Sequence, residues 1–508
     1  MNSDTLIVLS IMAGFYLLNV YVIKRWHVPQ DSVEEYGVGG RSMGWITVAF
    51  SHIGGWFVGA TYTGWFAFSA DLGVFAQYLV IYSIASLFIM YIMAKPVWCW
   101  GKEFHLETQG DIIQLRYKST SFTTVMTILI ALVGSLWLVV EMVTLGYIVS
   151  SATNGAVPFN VGMFLIGSGV ILYSVLGGVR AAAQGALIQG MTFAIAGSVT
   201  FYFLVLKAYG GVFPLLELVE QAKPQLLILD PSKQLHMLWT SAIITGTFGA
   251  YCWPSVFSRL YMTSSPRDTK KGVLFAPLAA IVIAMVILWL GLGSRMVPGF
   301  PADAQGGVFW LARHFGGPVV LGLVAVFASA AAVATISAAA NAIAMLLAKN
   351  VVGVLAPSER SVLVSAKILT VVLGVSAMLV ATIDLPQLIT IALGMYDCIV
   401  QVIVPLLLGL FWRRGNLVGA IAGTSFGVAI AAGSLLYPSM IGWAGGLSGG
   451  AIGLFANVAL YLAAGWLFGK PRHVDALFDI LGRYDENGTK WSGSTPGGVN
   501  ADQQTAQA

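Results

Sequence analysis

The stretch from residue 44 to residue 70, GWITVAFSHIGGWFVGATYTGWFAFSA, is long and apolar enough to cross a bilayer, yet Gly54-Gly55 and Gly59 sit in its middle. Residues 240–262, TSAIITGTFGAYCWPSVFSRLYM, repeat the pattern with Gly246, Gly249 and Pro254. Glycine and proline weaken a helix, and in hydrocarbon the freed backbone groups need protein or water as partners. The plainer reading of such glycines is close helix packing through small residues. The two stretches lie five spans apart, so the second runs opposite to the first. An inverted pair of discontinuous helices points to a binding site at the membrane midplane. Non-helical backbone is therefore expected at 54–57 and at 245–249, with the two segments close together.

The rest of the chain fits this reading. Hydrophobic residues make up 57% and charged residues only 9%, against about 25% charged in a soluble protein. Thirteen apolar spans can be placed, at 4–24, 44–70, 74–98, 121–150, 158–177, 181–206, 240–262, 273–295, 317–349, 361–383, 386–411, 415–437 and 447–468. The fold class is an all-α polytopic membrane protein, with the lipid bilayer as its solvent. Residues 1–5 lack a positive charge and the first apolar run ends in Lys24-Arg25, so no cleaved signal peptide is expected. Cys99, Cys252 and Cys398 are odd in number and far apart, as buried packing residues would be.

With the N-terminus outside, cytoplasmic segments collect 21 of the 26 Lys and Arg residues, leaving Lys207, Lys223, Lys233, Arg295 and Arg313 outside. That asymmetry satisfies the positive-inside rule. Beyond span 13, Val474, Leu477, Phe478 and Leu481 share one helical face, as in a short helix lying on the cytoplasmic membrane surface. Residues 485–508 read as a disordered tail.

Several segments together resemble the sodium:solute symporter family, whose members have a LeuT-type core. They are Glu34-Glu35-Tyr36 with Gly39-Gly40-Arg41-Ser42-Met43-Gly44; Thr108 with Asp111, Arg116 and Tyr117; and residues 173–178 (YSVLGG) with Gln189. Pro254 with Arg259 and Ser264-Ser265 continues the series, and Gly394, Gln401, Pro405 and Arg413-Arg414-Gly415-Asn416 close it. Residues 178–191 and 394–409 look closest to the monocarboxylate permease branch. The resemblance covers residues 34–425 and implies two inverted five-helix repeats. The division is then an N-terminal helix and linker (1–43), a first repeat (44–206), an external loop (207–239), a second repeat (240–411), two C-terminal helices (412–470) and a tail (471–508).

It also implies a sodium site between spans 2 and 9, built from the carbonyls of Gly54, Phe57 and Ala331 and the hydroxyl of Thr335. Here the second hydroxyl position of the family is Ala334, and Trp56 and Ala186 stand where many members carry Asp. A site with so few hard oxygens predicts a weak sodium effect.

Ionisable groups inside spans are costly and usually face a cavity. Glu141 in span 4, where related permeases tend to have Gln, Asp397 in span 11 and His52 in span 2 stand out. A desolvated carboxyl holds its proton more tightly, which opens proton coupling as an alternative to sodium. Each also has a structural reading: Glu141 as a hydrogen-bonding residue in a packed interface, Asp397 satisfied by Tyr396 and Gln401, His52 as packing. Asp71 and Asp384 fall at external span ends.

The expected solute-lining set is Trp56, Thr61, Glu141, Thr245, Thr247, Tyr251 and Gln401, aromatic and sparsely polar. Such a surface suits a monocarboxylate or amino acid better than a sugar, and a half-helix N-terminus favours an anionic group. Secondary transport in a plasma (inner) membrane is the function this implies, with a small-molecule solute, no cofactor beyond possible Na+ and no nucleic-acid partner. No catalytic motif supports a membrane enzyme. A transporter-like sensor would need a signalling domain for which the last 40 residues leave no room, and a channel would show flux that does not saturate. The topology is testable: a tag at Ala508 should be reachable only from the cytoplasmic side, and labelling from outside intact cells would reverse the orientation.

Overall fold

The computed structural model describes residues 3–25, 32–229, 233–383 and 388–490. Among them no strand occurs, only the isolated bridges Met43↔Thr263 and Tyr484↔Lys490. Helix is the expected outcome, because a single segment in lipid must satisfy its own backbone. Among the described residues, eleven helices are long and apolar enough to cross a membrane. Spans 2 and 7 of the expected thirteen are missing from that set because both are broken. Span 2 divides into Trp45–Trp56 and Gly64–Leu72, and span 7 into Lys233–Gly249 and Pro254–Phe257. The second piece of span 2 turns directly into span 3 at Gly73. There φ is +58° and the Leu226 carbonyl would meet any Cβ at 2.0 Å, so only glycine fits.

Span 9 forms the axis of the molecule. Its helix, Gly307–Leu347 with a bend at Gly317, buries every residue from 324 to 337. The run FASAAAVATISAAANA is mostly small, so spans 1, 4, 5 and 10 can pack close to it. In a bilayer, where lipid tails are as apolar as leucine, such close packing replaces the hydrophobic effect as the cohesive force. The outer rim inverts the pattern of a soluble protein, with Leu165 74% and Phe88 69% exposed to the surroundings.

On the Lys- and Arg-rich face, Gln109–Tyr117 is a short helix opened by a Thr108–Asp111 capping box. Asp111 accepts from the backbone N–H of Glu107 (2.8 Å) and Thr108 (3.0 Å), from Asn350 Nδ2 (2.7 Å) and from Lys349 (2.9 Å). Arg116 donates to the carbonyls of Gly409 (2.8 Å), Trp412 (3.0 Å) and Gly415 (2.9 Å). Arg41 binds Glu34 (2.9 Å) and the Leu106 carbonyl (2.5 Å). The opposite face pairs Arg295 with Asp71 (2.6 Å) and Arg313 with Asn154 (2.9 Å).

The amphipathic segment expected on the membrane surface instead packs on the protein. Helix Val474–Ile480 buries Val474, Leu477 and Ile480, and Trp100 donates its indole N–H to the Leu477 carbonyl (2.8 Å). Arg413 pairs with Asp475 (2.7 Å) and Tyr484 donates to Glu103 (2.6 Å). Order continues past residue 485: Glu486 pairs with Lys270 (2.9 Å) and Lys490 with Glu103 (3.0 Å). Asp384 and residues 491–508 lie outside the described residues. All three cysteines are free.

Burial pushes the Asp111 carboxyl up, but Lys349 and the converging donors outweigh it and hold the group below its ordinary value. A depressed carboxyl stabilises the fold above the unfolded value of about 3.9 and loses that contribution as pH falls through the lower folded value. Asp111→Asn turns an acceptor into a donor facing other donors, so it should cost about 1–3 kcal/mol at pH 7. Thermal unfolding of the purified protein should show that gap narrowing below about pH 4. A gap independent of pH would mean that the charge is not what matters.

Candidate functional site

The span 2 helix continues through Gly54 and Gly55 to Trp56, and the backbone opens only from Phe57. Phe57 and Val58 are extended, Gly59–Thr61 is a single 3-10 turn, and helix resumes at Gly64. The break therefore begins about where 54–57 ends. What stabilises it is a side chain from another span. Glu141, wholly buried in span 4, accepts from Gly59 N–H (2.9 Å, Oε2) and Ala60 N–H (3.4 Å, Oε1). A carboxylate at a helix start meets both its free donors and its positive dipole end. Gly59 is required, since a Cβ there would lie 2.6 Å from the Ala332 Cβ and 2.8 Å from Glu141 Oε2.

Span 7 breaks later than expected as well. Residues 245–249 are helical, and Gly246 and Gly249 are packing glycines: a Cβ would come within 2.6 Å of the Tyr82 ring and 3.2 Å of the Tyr396 ring. The helix tightens through Ala250–Cys252 and stops at Trp253 (φ −71°, ψ 123°), directly before Pro254. Proline forces its predecessor out of the α region and opens the next helix at no cost in hydrogen bonds. Gln109 Nε2 satisfies the Cys252 carbonyl at 2.7 Å.

Both breaks open on one cavity. Its wall includes Trp56, Val58, Thr61 and Trp65 of span 2, Leu79 and Tyr82 of span 3, and Gly134 and Trp137 of span 4. Trp253, Pro254, Ser255 and Val256 follow from span 7, Thr335, Ala339 and Ile343 from span 9, and Tyr396 from span 11. None of these residues is charged. Trp56 turns its indole N–H away to Ser83 Oγ (2.7 Å), and Trp65 turns its own to the Tyr78 hydroxyl (2.9 Å).

The residues singled out in the sequence divide. Trp56, Thr61 and Thr335 line the cavity. Thr335 Oγ1 donates to the Ala331 carbonyl (3.0 Å), while Ala332 touches Gly59, so the proposed ion ligands of span 9 adjoin the span 2 break. Thr245, Thr247 and Tyr251 are buried in span 7 but do not line the cavity. Tyr251 stacks on His52 at 6.3 Å and His52 on Trp56 at 5.2 Å; neither ring nitrogen of His52 has a hydrogen-bond partner among the described residues.

Gln401 points away, donating to the Gly450 carbonyl (2.9 Å), with Asn457 donating to the Gln401 carbonyl (2.8 Å). Its work in this structure is to fasten span 11 to span 13. Asp397 is satisfied by the Ser448 hydroxyl (2.9 Å) at the start of helix Gly449–Phe468, not by Tyr396 or by the Gln401 side chain, which reaches only the Asp397 carbonyl.

Trp65, Trp137, Trp253 and Tyr396 were not in the expected lining. One signal was available: Trp137 precedes Glu141 by four residues and so shares its helix face.

A model of the sodium:solute symporter family matches residues 36–427. The symporter YhjB of Bacillus subtilis is 24% identical over 92% of this chain and 98% of its own length. The sodium/pantothenate symporter of Escherichia coli is 22% identical over 81% and 87%. Among solved structures, a sodium-coupled sialic acid symporter in a substrate-bound, outward-open state aligns with a TM-score of 0.72 at 18% identity, over 92% of this chain and 98% of that one. The nucleobase-cation symporter Mhp1 in a closed conformation aligns at 0.56 with 13% identity, over 89% and 99%. These relatives are transporters rather than enzymes, and the helical architecture is the LeuT-like one. On a match that spans three quarters of its length, the chain belongs to the sodium:solute symporter family.

Proposed function

We propose that the protein imports a small organic solute across the plasma membrane by alternating access, driven by a cation gradient. The chief support is that two broken spans of opposite direction open on one cavity, to which span 9 adds Thr335. Residues 44–206 and 240–411 serve as the two inverted halves, with the N-terminus outside and the C-terminus cytoplasmic.

Sodium is the proposed coupling ion. Helix Trp45–Trp56 ends with the Ile53 carbonyl taking the Phe57 N–H (2.9 Å), and the last carbonyls of a helix have no partner within it. Gly54 and Phe57 can therefore present oxygens at a negative helix end. Ala331 and Thr335 add a carbonyl and a hydroxyl, one hydroxyl fewer than the family pattern because of Ala334. A second reading, proton coupling through Glu141, draws on its complete burial without a cationic partner among the described residues.

For the solute, the choice between monocarboxylate and amino acid turns on where a carboxylate could bind. Glu141 already holds two donors of the span 2 break, so the ammonium end of an amino acid has more support here than the carboxylate end.

Uptake into vesicles tests the coupling. Sodium dependence that is weak, lost in Thr335→Ala and kept in Glu141→Gln is the expected result. Uptake driven by a pH gradient and uncoupled by Glu141→Gln would establish the proton reading instead. Gly59→Ala should insert normally yet lose at least about tenfold in uptake, because its Cβ displaces Ala332 or Glu141 by roughly an ångström. Full activity in that variant would mean that the close contact is not needed for transport.

A further inference from the structure

A second hollow opens sideways, between span 1 and span 5. Span 1 packs chiefly along span 9, and a cleft of about 860 Å³ remains between it and span 5. That volume is within the range of small-molecule sites, whereas the cavity between the span breaks holds about 40 Å³. Tyr16, Asn19, Val20 and Lys24 line the cleft from one face of span 1, and Leu165, Gly169, Tyr173 and Leu176 from one face of span 5. Gln189 of span 6 and Val333 of span 9 are its buried floor. Val20, Leu165 and Leu176 are exposed along the rim, so the cleft opens toward lipid.

We propose that this cleft is a lipid site: it holds one anionic phospholipid, with the phosphate at Lys24 and an acyl chain along span 5. The proposal depends neither on the transport reading nor on the central cavity.

Length and charge support this occupant. From Leu165 to Leu176 the helix rises about 16 Å, half of a hydrocarbon core of roughly 30 Å. The cleft thus has the length of one leaflet. Lys24 and Arg25 close span 1 on the Lys- and Arg-rich face, are exposed, and make no ion pair among the described residues. Just past Gly177, Arg180 pairs with Glu35 (2.8 Å), and that pair adds no net charge to the mouth. An anionic headgroup meets unopposed positive charge there, as in other basic sites between spans.

Polar side chains follow below the charge. Asn19 lies five residues, about 7–8 Å, further in than Lys24. Gln189 donates from Nε2 to Asn19 Oδ1 (3.3 Å), and its buried Oε1 has no hydrogen-bond partner among the described residues. Tyr16 and Tyr173 bring hydroxyl-bearing side chains to the same wall. Polar groups set against acyl chains alone are costly. A phospholipid presents the matching order: charge, then an oxygen-rich glycerol linkage, then hydrocarbon. Val333 is two residues before Thr335 and so on the opposite face of span 9. A lipid seated here braces the helix that carries the proposed ion ligands.

Full-length protein, stripped of lipid in detergent, can be titrated with phosphatidylglycerol, with phosphatidylcholine of the same chains, and with glycerol phosphate as the headgroup alone. Native mass spectrometry counts what is retained, and thermal unfolding without lipid checks the fold of each variant. One phosphatidylglycerol should be retained at saturation, with an affinity about fivefold above phosphatidylcholine, the effect of one basic residue. Lys24→Gln should abolish that preference and keep binding of both lipids. Gly169→Leu should lose the retained lipid of either kind, because a Cβ at Gly169 meets nothing within 4 Å and the new side chain enters the cleft. Equal affinity for the two phospholipids, or a preference unchanged in Lys24→Gln, would overturn the anionic lipid. Glycerol phosphate binding as tightly as the whole lipid would replace it with a free phosphate ester. Retention unchanged in Gly169→Leu would place the lipid elsewhere on the surface and overturn the site. Should Gly169→Leu not fold, the Lys24→Gln result decides alone.

Discussion

A backbone that leaves the helix inside a bilayer exposes N–H and C=O groups to a medium that cannot receive them. Glu141 meets that constraint for span 2 by taking the N–H groups of Gly59 and Ala60. The rest of the site follows from this one contact. It draws span 4 against the break, carries Trp137 to the cavity wall on the same helix face, and demands glycine at 59. The same logic recurs elsewhere: Gln109 serves the Cys252 carbonyl, and Arg259 serves the carbonyls of Ser51 and Ser255. Several polar side chains that look functional in a membrane sequence thus have backbone atoms as their partners.

That distinction explains what the motifs shared with the family do here. Thr108, Asp111, Arg116 and Tyr117 belong to a short helix that holds the ends of spans 9, 11 and 12 together, with Tyr117 donating to the Pro405 carbonyl at 2.7 Å. They touch neither the cavity nor the proposed ion ligands. Motifs of this kind identify the scaffold well and the solute poorly. Solute identity depends instead on the side chains of the lining.

Apolar length and the placement of Gly and Pro were enough to read the helical class, most span limits and the existence of two breaks. The exact break points were not legible, because a helix tolerates an isolated glycine at about 1 kcal/mol. It ends where another residue secures the open form: Glu141 for one break and Pro254 for the other. Gln401 and Tyr251 were misjudged since polarity does not reveal direction, and an i, i+3, i+4 stripe does not say whether its neighbour is lipid or protein. The last ambiguity misplaced helix Val474–Ile480. The aromatic lining was hidden for a further reason: its members come from five spans, and only their packing brings them together.

The C-terminal segment has a consequence for how the chain is made. Trp100 at the end of span 3 finds its hydrogen-bond acceptor 377 residues later, at Leu477. At roughly 5–20 residues per second, that partner leaves the ribosome about 20–75 s after the indole does. Glu103 likewise waits for Tyr484 and Lys490. During that interval the C-terminal end of span 3 lacks its cover, and synthesis through span 13 does not supply it. The last twenty described residues act as the closing step of assembly, and a ribosome that stops short of them releases a bundle complete in its spans but open at its base.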